Sequence, residues 1–63
     1  MNMYETLKTW EIKNNYENVI IKLYKELDYY LVEVMRFADL YNNSEIRKYK
    51  SRNAAMNYIR KLL

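Results

Sequence analysis

The residues with the most chemistry to offer sit together towards the C-terminal end, in Arg47-Lys48-Tyr49-Lys50-Ser51-Arg52-Asn53. Cations, an aromatic ring, hydroxyls and an amide are the types that contact phosphates and base edges. Arg60 and Lys61 extend the set. Residues 44–63 carry six Lys or Arg against Glu45 alone, net +5, while residues 1–43 carry five against seven acids, net −2. The overall charge of +3 therefore hides a bipolar chain. Two readings follow. The cations could neutralise acids elsewhere in the chain, at about 0–1 kcal/mol per surface pair. Alternatively they face an anionic partner, either phosphate or an acidic protein surface.

Covalent chemistry is poorly supplied. The chain has no histidine and no cysteine, so the usual general bases and soft nucleophiles are missing. It has no glycine for a phosphate-cradling loop. Zinc is disfavoured, because carboxylates alone suit harder cations. A chain of 63 residues also has little room for a pocket of about 300 Å³ or more. The expectation is a non-enzymatic protein with no catalytic residue, no metal and no cofactor.

The elements that must position these groups read as helices. Glycine and proline are both absent, and primed hairpin turns depend on Gly or Asn, so a sheet is disfavoured. The only loop-like clusters are Asn14-Asn15 and Asn42-Asn43-Ser44. Between them Ile20, Leu23, Leu27, Tyr30, Val34, Phe37 and Tyr41 recur at spacings of three and four, the apolar stripe of a helix. Tyr24, Leu31 and Ala38 widen it, and Lys22, Lys25, Glu26, Asp28, Glu33, Arg36 and Asp39 fall opposite. The spacing predicts a helix over 16–41. Met3, Tyr4, Leu7 and Trp10 predict a short N-terminal helix. Its stripe points roughly 170° away from the central one, which places a break at Asn14-Asn15. Asn43 or Ser44 can cap a third helix over 44–62, with Glu45 in its first turn. The apolar stripe of that helix, Ala55, Met56, Ile59, Leu62 and Leu63, fills only its C-terminal half.

The expected architecture is thus all-α: one domain, a helical hairpin with a short N-terminal helix. A chain this small buries only about 60% of its unfolded surface, and without disulfides the remedy left is to dimerise into a helical bundle. The hairpin resembles small dimeric four-helix bundles such as the plasmid RNA-binding regulators, an analogy of fold that carries no residues across.

From this reading come three sets of residues. Ile20, Leu23, Leu27, Tyr30, Leu31, Val34 and Phe37 are expected to form the core and oligomer interface. Trp10, Tyr29, Val32 and Arg36 are expected to meet a partner; Trp10 serves equally as a core anchor or an interface hot spot. Arg47, Lys48, Lys50, Arg52, Arg60 and Lys61 would contact nucleic acid. The expected function is a small regulatory protein, of viral or mobile-element type, that forms a homodimer and binds another, unidentified protein. Nucleic-acid binding is the alternative, and a basic helix lying on an anionic membrane a lesser one. With no apolar leader segment in view, a cytoplasmic location is expected.

Overall fold

Alternation, not helical spacing, governs the chain. Val19, Ile21 and Leu23 alternate with Ile20, Lys22 and Tyr24, and Val32 and Val34 alternate with Leu31, Glu33 and Met35. Beta-branched and aromatic residues at a period of two suit a pleated sheet. The computed structural model describes residues 4–63, so Met3 lies outside the described residues. It shows strands β1 (Tyr4–Lys13), β2 (Glu17–Glu26), β3 (Tyr29–Ala38) and β4 (Asn42–Tyr49), then a single helix α1 (Arg52–Leu62). The sheet is antiparallel in the order β1-β2-β3-β4, a meander.

The all-α expectation is overturned. The predicted helix over 16–41 is a hairpin, β2 with β3, in which Leu23 pairs with Val32 and Ile21 with Val34. The predicted N-terminal helix is β1, and residues 44–49 of the predicted third helix belong to β4. The stripe that suggested a helix is split by strand parity: Leu23, Tyr30 and Val34 face one side of the sheet, and Ile20 and Phe37 the other. A helical hairpin, and a bundle made from it, are therefore excluded.

Each connection has a local cause. Between β1 and β2 the Asn14 side chain accepts the backbone N–H groups of Tyr16 and Glu17, both at 2.8 Å; this Asx turn needs no glycine. Between β3 and β4 the Ala38 N–H donates to the Tyr41 carbonyl at 2.9 Å. The β2–β3 turn is the tight one, with only Leu27 and Asp28 between the paired Glu26 and Tyr29. Leu27 takes φ 47°, a left-handed conformation that costs a branched side chain about 1–2 kcal/mol.

Helix α1 starts at Ser51, whose hydroxyl accepts the Ala54 N–H at 3.2 Å, and Arg60 and Lys61 sit in its last turn, where the macrodipole favours cations. Its buried residues, Ala55 and Ile59, join Val19, Ile21, Leu23, Val32 and Val34 in one core, with Leu7, Trp10, Tyr30, Tyr49, Met56 and Leu62 around it. A slip of pairing between Thr6 and Lys8 in β1 accompanies the packing of Leu7 against that core, as bulges re-aim side chains. Each fully buried aliphatic side chain contributes about 1.5–3 kcal/mol. Among the described residues no helix is long and apolar enough to cross a membrane.

Candidate interaction surface on the open sheet

Helix α1 covers one face of the sheet. The other face has no covering element among the described residues, and the pairing places on it Ile20, Lys22, Tyr24 and Glu26 of β2; Tyr29, Leu31, Glu33, Met35 and Phe37 of β3; and Ser44, Ile46 and Lys48 of β4. A solvated face of an antiparallel sheet normally alternates to polar residues. This one keeps a run of apolar side chains. Leu31 is only 7% exposed, yet Phe37 and Ile46 are 41% and 63% exposed.

Leu31 sits in a depression of about 680 Å³, lined also by Tyr4, Thr6, Tyr24, Ile46 and Lys48, with Glu26 and Glu33. The walls are ordered by specific contacts. The Tyr24 hydroxyl donates to Glu33 Oε1 at 2.8 Å, and the Tyr4 ring meets the Tyr24 ring edge-on at 6.1 Å. Lys48 Nζ lies 4.4 Å from the centre of the Tyr29 ring, a cation–π contact that holds the cation over the sheet. Burial, followed by the bond to Glu33 and its charge, pushes the Tyr24 hydroxyl up to about 12. Tyr24 is thus a fixed donor at neutral pH and not a base. The depression is apolar at its floor, acidic on one side and basic on the other.

A second depression, of about 430 Å³, opens at the loop end beside Phe37, between Asn14-Asn15-Tyr16 and Asp39. The loop tips above it present Tyr16 and Leu40, 85% and 96% exposed. Below them Glu17 accepts from Arg36 Nη1 and from the Tyr41 hydroxyl, each at 3.1 Å, which ties both loops together. That bond and the Glu17 charge raise the Tyr41 hydroxyl above its ordinary value.

The residues singled out from the sequence are redistributed. Leu23 and Val34 are buried under the helix, with Tyr30 packed beside them; Ile20, Leu31 and Phe37 lie on the open face; Leu27 is at the exposed β2–β3 turn. Of the partner set, Val32 is fully buried and so closed to any partner. Trp10 packs on the core with Lys8 Nζ at 5.1 Å from its ring, Arg36 is engaged by Glu17, and Tyr29 alone sits on the open face. The six cations spread along β4 (Arg47, Lys48), the link after it (Lys50) and α1 (Arg52, Arg60, Lys61), and all are exposed. Arg47 is stacked 4.3 Å from the Tyr58 ring and lies 3.7 Å from Glu45; Lys50, Arg52, Arg60 and Lys61 pair with no carboxylate among the described residues.

Of the residues lining the depression, Thr6 and Ile46 escaped the sequence reading, and Tyr4 and Glu26 entered it only as members of helix faces. The alternation Ser44, Ile46, Lys48 was the available signal, once β4 is read with a period of two. Comparison with known protein families, characterised proteins and solved structures finds no match for this chain.

Proposed function

We propose that this chain is a small non-enzymatic interaction protein that docks another protein on its open sheet face. The observation that carries this reading is the apolar run on the face that no described element covers: exposed Ile46 and Phe37, half-buried Ile20 and Met35, and Leu31 at its floor. Uncovered apolar patches rimmed by polar groups mark protein interaction sites. The partner that fits presents an apolar or aromatic side chain to the floor at Leu31. A cation beside it would meet Glu26 and Glu33, and an acid would meet Lys48. A cytoplasmic location is part of this reading and rests on the cysteine-free composition.

The test compares two variants with the unmodified chain in capture from nuclease-treated extract. Thr6→Arg fills the depression and Glu26→Lys inverts its acidic side; neither touches the core. The reading expects a specific protein to be captured by the unmodified chain and lost by both. Capture that survives Thr6→Arg and Glu26→Lys would remove the open face from the account.

A second reading is favoured by one observation. The solvent side of α1 displays Arg52, Asn53, Asn57, Arg60 and Lys61, with no acid on the helix, a combination suited to phosphate and base contacts. For this reading, binding to generic duplex DNA or RNA should fall by orders of magnitude between about 50 and 200 mM salt, and Arg60→Glu with Lys61→Glu should abolish it. Absence of binding at the lower salt rules it out.

A further inference from the structure

Among the described residues the sheet is open at both edges, and the two edges are not alike. The pairing of β1 slips between Thr6 and Lys8, and a bulge of this kind discourages a further strand. β4 has no such interruption: its register against β3 runs without a shift from Asn42 opposite Phe37 to Tyr49 opposite Tyr30. Asn42 to Lys48 are all exposed, and the strand contains no proline. An edge that is long, regular and free of bulges is a template for strand addition.

We infer that the occupant of this edge is a second copy of the chain, paired antiparallel through β4 about a two-fold axis at Ile46, so that the two four-stranded sheets become one. Charge decides the register. A two-fold axis perpendicular to the sheet keeps both helices on the same side and sets residues of equal parity opposite each other. Centred at Ile46, it places Ile46 against its own copy on the open face. On the helix-covered face Glu45 then meets Arg47 of the second copy, and Arg47 meets the second Glu45. Ser44 faces Lys48 of the second copy.

The neighbouring registers are worse. A two-fold at Glu45 sets carboxylate against carboxylate, and one at Arg47 sets guanidinium against guanidinium; like charges directly opposite are destabilising. The Ile46 register instead turns the Glu45–Arg47 pair within each strand, 3.7 Å apart and both held against Tyr58 of α1, into a ring of four alternating charges. It also covers Ile46, 63% exposed in the single chain. The pairing goes beyond the open-face reading and does not need it. Glu45 and Arg47 lie on the other side of the sheet, so changing them leaves the depression intact.

Analytical ultracentrifugation of the full chain, up to millimolar concentration, is the test. A dimer is expected. Glu45→Arg and Arg47→Glu should each weaken it roughly tenfold, and the double exchange should restore it, with circular dichroism confirming that every variant is folded. Ile46→Cys should cross-link to itself on oxidation, because directly opposed residues lie about 4.5–5.5 Å apart between Cα atoms, within disulfide reach. Lys48→Cys, which faces Ser44 of the second copy, should not. A monomer at millimolar concentration would overturn the inference. So would a dimer in which Ile46→Cys fails to cross-link, or one that the double exchange does not recover.

Discussion

The two faces of this sheet are made by the same strands and are finished in opposite ways. Under α1, Val19, Ile21, Leu23, Val32 and Val34 close with Ala55 and Ile59 into a core from which charge is excluded to the margins. On the other side the alternate residues of β2 and β3 interleave apolar groups with charges, Ile20 beside Lys22 and Leu31 beside Glu33, and no described element folds over them. The first face exists to hold the chain together. The second keeps more apolar surface than a merely solvated face requires, so it is where selection for something other than stability is to be sought.

Substitutions can break or sharpen that division. The largest effect belongs to the covered face: Ile59→Ala should cost about 2–5 kcal/mol in urea unfolding, a large share of the roughly 3–9 kcal/mol expected of a domain this size. A cost below about 1 kcal/mol would show that α1 does not close the core. Leu31→Ala, on the open face, should cost less, about 1–2 kcal/mol, because its site is bounded on one side by solvent. Equal or greater loss would mean that the open face acts as a second core.

At the turn joining β2 to β3, which belongs to neither face, Leu27→Gly should raise stability by roughly 0.5–1 kcal/mol. Relief of the left-handed backbone outweighs the added chain entropy there, and the leucine side chain is already 67% exposed. Unchanged or reduced stability would assign the leucine a contact that offsets the strain.

The smallest effect at neutral pH is a pH dependence, which emerges only in alkaline solution. With the Tyr24 hydroxyl raised from the ordinary 10 to about 12, the folded state holds that proton more tightly than the unfolded chain. Its contribution is therefore complete below about pH 10 and is lost as pH rises towards 12. Tyr24→Phe should flatten the alkaline fall in stability relative to the unmodified chain. An identical fall in both would detach Tyr24 from Glu33.

Punctuation was legible in the sequence, and element type was not. Asn14-Asn15 does mark a chain reversal, whereas Asn42-Asn43 lies just past one, already paired with β3 inside β4; Ala55, Met56, Ile59 and Leu62 do face the sheet from a helix. The central segment misled because a spacing of three and four samples both parities of a strand; the period-two runs Val19, Ile21, Leu23 and Val32, Val34 were present in the same residues. The turn between them gave no warning. A hairpin there needs positive φ, and Leu27 is a residue that resists it. Six cations near the C-terminal end were legible as a group, but their division among an edge strand, a short link and a helix follows from Ser51, rather than Ser44, capping α1. The open-face depression was invisible, since its walls come from all four strands.

The meander has a kinetic consequence. Every strand pairs only with its neighbours along the chain, so each step of folding closes a short loop, and the contact order is low for a sheet. Such a chain should fold fast among β proteins, with its rate governed by hairpin formation and not by a long-range search. The central hairpin, β2 with β3, is the one both outer strands depend on, and it is also the one whose turn begins with Leu27 in the left-handed region. A left-handed leucine in that turn is therefore expected to slow refolding, and Leu27→Gly to speed it.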